Sequence, residues 1–299
     1  MNGLQAEARV MLKNILFLTD FSEPSELAIP FAVALAREYD AKVHALHVLV
    51  PIPLAYASPE TVGSAIEGME EGAQAEMQRL DSQLAGVTHE TSVVRDASVW
   101  SSIERAITDR DINLVVLGTH GRTGAAKLLL GSVAEDIFRR ATVPVLTIGP
   151  SVRTGAHRGG HFHRVLFATD FSREAQGAAP YAISIAEENQ AKLLLLHVMR
   201  DPADRKSAQS KPESVANIMH ELYEIVPPTA ENWCRPEATV RFGAPADKIL
   251  EAARELDADL IVLGVRDPGK RIGAATHLER ATAHKVVARA ACPVLTIRG

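Results

Sequence analysis

The chain has little cysteine, no excess of positive charge and no long apolar run, and each lack removes a class of function. Two cysteines in 299 residues, Cys234 and Cys292, cannot build the disulfide framework of a small secreted domain. Lysine and arginine (32) are outnumbered by aspartate and glutamate (37), giving a net charge of −5. A nucleic-acid grip needs the reverse, a concentrated basic patch that displaces counterions from phosphates. No nucleic-acid partner is expected. No stretch approaches the ~20 apolar residues that cross a bilayer, so no membrane partner is expected. The first eight residues hold neither a basic segment nor an apolar one of the secretory type. The expectation is a soluble, cytoplasmic protein.

What the chain does have is a repeat. Residues 15–22 read Ile-Leu-Phe-Leu-Thr-Asp-Phe-Ser, and residues 165–172 read Val-Leu-Phe-Ala-Thr-Asp-Phe-Ser. His47-Val48 returns as His197-Val198, Leu114–Gly118 as Leu260–Gly264, and Pro144–Ile148 as Pro293–Ile297. Two copies of one domain are joined in tandem, each long enough to bury its own core. The expected division is residues 1–150, a Gly- and His-rich linker over 151–163, and residues 164–299.

Within the first copy, strand and helix periods alternate. Ile15–Thr19 and Val43–Val50 are short branched-apolar runs, as in strands buried on both faces. Between them Glu23–Tyr39 carries Leu27, Phe31, Ala34 and Leu35 at helical spacing, with Ser22 placed as its N-cap. Over Ser64–Leu84, Ile66, Met69, Ala73, Met77, Leu80 and Leu84 draw one apolar stripe, which makes both methionines core filling. Further strands are predicted at 91–94, 113–118 and 144–148, and helices at 98–108 and 132–140. The second copy repeats the order, with strands at 164–169, 192–199, 237–242, 259–264 and 293–297 and a helix near 214–226. Such alternation predicts an α/β fold: a five-stranded parallel sheet in each copy, with helices on both faces.

Ligands of open α/β sheets bind at the carboxyl ends of the strands, where strand order reverses. The first strand ends in Thr19-Asp20. The fourth ends in Gly118-Thr-His-Gly121-Arg122-Thr-Gly124, and the chain runs on to Gly131-Ser132 and a helix. Glycines let a backbone approach a ligand closely, and the N–H groups of Gly131, Ser132 and Val133 at a helix start would make an anion site. A glycine after a strand is as often a plain turn residue. The loop also lacks both the P-loop spacing and the dinucleotide Gly-x-Gly-x-x-Gly. On its chemistry it is a candidate phosphate site.

With these residues in view, the chain resembles the universal stress protein family in tandem form, over nearly all of residues 12–149 and 163–298. The family's nucleotide-binding members carry Gly-x2-Gly-x9-Gly-Ser/Thr, which Gly118, Gly121, Gly131 and Ser132 match without a gap. The resemblance implies two Rossmann-like, HUP-type domains related by a pseudo-twofold. It implies that ATP is the ligand, with Asp20 on the nucleoside and the Val48 backbone on adenine. Gly118 would lie near the ribose, and Gly121, Gly131 and Ser132 would hold the phosphates. Val133, from its place at the helix start, and Arg122, from its place in the loop, are further phosphate candidates apart from the family motif. The Thr123 and Ser132 hydroxyls are candidate neighbours of an accompanying Mg2+. Single-domain relatives pair through their last strands, which implies an intrachain pseudo-dimer here, and a homodimer of the whole chain is a further possibility.

The second copy departs at the loop. It keeps Thr169-Asp170, His197-Val198 and Gly264, but Asp267 replaces the second glycine and Arg280-Ala281 replace Gly131-Ser132. Losing two or three charge-assisted hydrogen bonds at ~1.5–3 kcal/mol each weakens triphosphate binding at least ~100-fold. One ATP per chain, in the N-terminal domain, is therefore expected. Phosphoryl transfer further needs a metal and a positioned nucleophile, and no carboxylate beside the loop offers itself for either. The leading reading is a nucleotide-responsive regulator. The alternatives are a slow or autophosphorylating ATPase, a metal-binding protein using His157, His161 and His163, and a purely structural pairing protein.

Overall fold

The computed structural model describes residues 10–51, 59–119, 130–152, 161–199, 215–228, 236–265 and 274–299. The described residues form two compact units, Met11–Pro150 and Ser151–Gly299, with Val10 grouped in the second. The described elements of the first are β1 (Asn14–Leu18), α1 (Glu23–Glu26), α2 (Ile29–Tyr39), β2 (Lys42–Leu49), α3 (Pro59–Gln83), β3 (His89–Arg95), α4 (Val99–Asp109), β4 (Leu114–Gly118), α5 (Ser132–Arg140) and β5 (Val145–Ile148). Those of the second are β6 (Arg164–Thr169), α6 (Arg173–Glu188), β7 (Lys192–Met199), α7 (Val215–Glu224), β8 (Glu237–Phe242), α8 (Pro245–Glu255), β9 (Leu260–Val265), α9 (Ala274–Arg289) and β10 (Val294–Arg298).

The first unit orders its strands β3-β2-β1-β4-β5 and the second β8-β7-β6-β9-β10, every pairing parallel. Each order turns back beside the unit's first strand, so a crevice opens between β1 and β4 and another between β6 and β9. Both faces of the first sheet are covered. Leu16, Leu18, Val115 and Leu117 pack with Ile103 of α4 and Ile137 of α5, while Ile15 and Phe17, pointing the other way, are fully buried too. Double-sided burial is why these strands read as unbroken apolar runs rather than alternating ones.

Three local expectations need correcting. The helix expected over Glu23–Tyr39 is two, α1 and α2, because Pro30 has no N–H to continue the ladder and sits instead in the first turn of a new helix. Ser22 occupies the N-cap position but does not cap with its side chain; its hydroxyl donates to Asp20 Oδ1 instead. Its counterpart Ser172 does cap, accepting from Ala175 N at 3.3 Å. Finally, Met77 is buried but Met69 is 36% exposed. The 25 residues of α3 extend about 37 Å, whereas the seven of β3 span only about 23 Å. The first turns of α3 thus have no sheet to lie on, and among its described residues burial is confined to Ala73, Met77 and Leu80, with Leu84 buried just past its end.

Cys292 is buried, and burial with the added charge of Asp259 pushes its thiol up to about 12. It is a small core residue, protonated at neutral pH.

A buried histidine makes the first unit acid-sensitive. His44 is 5% exposed, with Nε2 3.3 Å from Asn14 Oδ1 and Nδ1 3.7 Å from Glu90 Oε2. Lys42 and Arg110 reach the same Glu90 at 2.8 and 3.3 Å. Burial first, then the Lys42 and Arg110 charges, hold His44 below its ordinary pKa, with Glu90 opposing. The unfolded chain therefore binds the proton before the folded one does, and stability falls as pH drops below about 6.5. Melting temperatures measured from pH 7.5 to 5.5 are expected to decline more steeply for the native chain than for His44→Gln. Parallel curves would remove His44 as the cause.

Candidate functional site

The turn after β1 is built by its own side chains. Thr19 Oγ1 accepts from Phe21 N at 3.0 Å, and Asp20 Oδ1 accepts from Ser22 N at 3.1 Å. These bonds hold Phe21 at φ +59°, a left-handed conformation that costs a bulky residue energy. The second copy repeats the device: Thr169 Oγ1 accepts from Phe171 N at 3.0 Å, Asp170 Oδ1 from Ser172 N at 3.0 Å, and Phe171 has φ +58°. A histidine braces each turn. His47 Nδ1 donates to the Thr19 carbonyl at 2.8 Å and its ring lies 4.4 Å from that of Phe21. His197 donates to the Thr169 carbonyl at 2.9 Å, 4.9 Å from Phe171. A carbonyl can only accept, so Nδ1 carries the proton in both rings.

This bracing was not read from the sequence. The repeated His-Val marked the duplication, yet its histidine was given no task. The signal was present: a histidine and a phenylalanine that recur together at one fixed offset.

Val48 follows His47 at the end of β2. Leu46 O accepts from Thr19 N and Leu49 O from Asp96 N, so alternate residues face β1 and the β3 side. By that alternation the main-chain groups of Val48 face β1 beyond its end. One N–H donor and one carbonyl acceptor thus point together into the crevice.

Across the crevice, Gly118 ends β4. A Cβ there would meet Pro24 O at 2.6 Å and Pro24 C at 2.8 Å, so the glycine lets α1 lie directly on the strand. Thr119 is fully buried; its N–H donates to Ile148 O and its carbonyl accepts from Gly131 N at 2.8 Å. His120, Gly121 and Arg122 lie outside the described residues, as does the rest of 120–129. The described backbone resumes at Leu130, and Gly131 is the N-cap of α5.

That N-cap changes which amides are open. The Gly131 N–H, counted as a donor from the sequence, is engaged by the Thr119 carbonyl and drops out of the set. Glu135 N donates to Gly131 O, the first bond of the helical ladder. The amides of Ser132, Val133 and Ala134 come before it and have no carbonyl four residues back within the helix. Asp20, Val48, Gly118, Gly131, Ser132 and Val133 all line one cavity of about 280 Å3. Its remaining walls include Leu18, Leu46, Val99 and Ile103. An apolar slot with a carboxylate, a peptide edge and the positive end of a helix suits a flat ring bearing an anionic tail.

No group of three or more metal-ligating side chains occurs among the described residues; His157 lies outside them, and His161 and His163 belong to no such group. No described helix is long and apolar enough to cross a membrane.

The sequence pattern of the universal stress protein family matches the chain twice, over residues 11–149 and 161–298. The chain belongs to the universal stress protein family. A universal stress protein of Mycolicibacterium smegmatis is 24% identical over 299 residues, covering 95% of this chain and 96% of that one. One from Methanocaldococcus jannaschii is 30% identical over 154 residues, covering 50% of this chain and 88% of that protein. The crystal structure of a universal stress protein from Archaeoglobus fulgidus superposes with a TM-score of 0.71 at 21% identity, over 95% of this chain and 98% of that one. The full-length matches show that the tandem arrangement is itself a form of universal stress protein.

Proposed function

We propose that this universal stress protein is a nucleotide-responsive regulator that holds one ATP in its first domain. The observation that carries the reading is the convergence, on one cavity, of the Asp20 carboxylate, the Val48 peptide edge and the α5 amides. Each matches a part of ATP. The N–H and carbonyl of Val48 are complementary to adenine N1 and its 6-amino group. Asp20, held in its turn by Ser22, is an acceptor for ribose hydroxyls. The amides of Ser132, Val133 and Ala134, with the helix dipole behind them, suit the phosphates. On the family resemblance Gly121 completes the grip, Arg122 of the same loop is a further phosphate candidate, and Mg2+ would bind through the phosphates beside the Ser132 hydroxyl.

Binding rather than turnover is the function proposed. Phosphoryl transfer needs a metal-bound carboxylate or a group that orients water. Among the described lining residues the carboxylate is Asp20, and the turn after β1 already engages it. Occupancy of the cleft would link the β1 turn to the start of α5, and a partner could read that change.

The test is the adenine nucleotide released when purified protein is denatured, expected at about one per chain. Asp20→Asn keeps an oxygen for the Ser22 amide but removes the charge. It is expected to weaken ATP at least ~10-fold, the size of one hydrogen bond to a charged group, with the melting temperature of the nucleotide-free protein unchanged. No nucleotide in the native chain, together with no binding of added Mg-ATP, would end this reading.

A further inference from the structure

The second domain has its own cleft, and it keeps one half of the first while replacing the other. The cavity is about 250 Å3, lined by Asp170, Leu196, Val198, Ile249, Thr282 and Ala283 among others. The turn carrying Asp170 repeats the backbone N–H bonds of the Asp20 turn, with Phe171 left-handed and His197 bracing it, although Ser172 caps α6 where Ser22 bonds to its aspartate. The strand end repeats as well. Met199 O accepts from Gly243 N on the β8 side, so the alternation turns the N–H and carbonyl of Val198 towards β6, which has ended at Thr169. A paired donor and acceptor, a carboxylate and apolar walls are all present.

The opposite wall is different. Aligned on the shared Pro-Val-Leu-Thr-Ile, residues 280–283 stand where Gly131–Ala134 stand in the first copy. In the first domain that place is the N-cap and first turn of α5. In the second it is the interior of α9, which begins at Ala274. Thr282 and Ala283 therefore meet the cleft eight and nine residues inside a helix, where every N–H is bonded to the carbonyl four residues before it. Among the described residues this wall presents no open amide and no positive helix end. The cleft has kept its ring-and-sugar half and lost the backbone anion site.

We infer that the second cleft is a site for an uncharged purine nucleoside of the adenosine type. The Val198 peptide edge pairs with the ring's amidine edge, and Asp170 accepts from vicinal ribose hydroxyls. Triphosphate is disfavoured by the missing donors and binds here at least ~100-fold more weakly than at the first site. The two domains then read different molecules: the first the charged nucleotide, the second its dephosphorylated form. The inference rests on two contacts of the proposed function, the pairing of adenine with a strand-end peptide and the strand-end aspartate on the ribose, and not on its phosphate grip.

The full chain is to be titrated by calorimetry with Mg-ATP, and then with adenosine while Mg-ATP is held saturating. One ATP per chain is expected, followed by one adenosine that ATP does not displace. Asp170→Asn, which keeps an acceptor for the Ser172 amide, and Thr282→Phe, which fills the cleft from α9, should each abolish that adenosine. Retained ATP binding in the same samples shows that both variants are folded. Absence of adenosine binding under saturating ATP would overturn the inference. So would two ATP per chain with the second lost in Asp170→Asn, since Arg266, Lys270, Arg271 and Arg280 would then supply an anion grip from side chains. Adenosine binding that depends on Asp170 in a chain that binds no ATP would sustain the inference and remove the proposed function instead.

Discussion

Gly131→Leu is expected to lower ATP affinity at least ~100-fold while leaving the first domain folded. Gly131 has φ −62° and ψ 156°, extended backbone that any residue adopts, so the substitution meets no conformational barrier. Its N–H stays bonded to Thr119 O and its carbonyl continues to accept from Glu135 N. What changes is the space beside the amides of Ser132, Val133 and Ala134, since Gly131 itself lines the cavity. A four-carbon side chain there competes with the phosphates for those donors, and losing two charge-assisted bonds gives the stated factor. Leucine is also a poorer N-cap than glycine, a cost of about 1 kcal/mol. Nucleotide content and calorimetry read the first effect, and thermal melting of nucleotide-free protein reads the second. Unchanged ATP affinity would show that the start of α5 is not where the phosphates lie.

The sequence made the architecture legible because doubly buried parallel strands and helices have different periods, and because each strand appeared twice. β6, β7, β8 and α5 fall where those periods placed them. The shortfalls share one cause, in that each depends on what a residue touches rather than on its type. Nothing local reveals that α3 outruns its sheet and leaves Met69 uncovered. Nothing in the string Thr-Asp-Phe-Ser says that Ser22 bonds backwards to Asp20 instead of capping forwards, when the same serine in the second copy caps. The site was half legible in the same sense. The glycine spacing and the strand ends marked Asp20 and the loop, and Val48 came only from the family resemblance, but the donor list needed Thr119, whose carbonyl removes one amide from it. The divergence of the copies was visible as substituted residues; that α9 starts early enough to close its own amides was not.

Gly118 and Gly264 provide the sharpest contrast between packing and binding, because the same substitution in each should cost similar stability and only one should cost ATP. A Cβ at Gly118 would lie 2.6 Å from Pro24 O, 2.8 Å from Pro24 C and 3.1 Å from Ser25 N. At Gly264 it would lie 2.5 Å from Ala175 N and from the carbonyl carbon and oxygen of Glu174. All are main-chain atoms, so no rotamer change relieves the clash, and the first turn of α1 or α6 must move. Overpacking of this kind costs about 1–3 kcal/mol, or ~2–4 °C of melting temperature per kcal/mol for domains of this order of size. In the first domain the displaced segment follows directly on Asp20 and Ser22, and Ser25 Oγ lies 3.1 Å from Thr19 Oγ1. The turn that presents the carboxylate must shift with it. Gly118→Ala is therefore expected to lower both melting temperature and ATP affinity, the latter by ~10-fold or more, comparable with losing the Asp20 contact. Gly264→Ala should lower the melting temperature similarly and leave ATP bound as before. Equal loss of ATP in both variants would mean that nucleotide binding follows general stability, and that the cleft between β1 and β4 is not its seat.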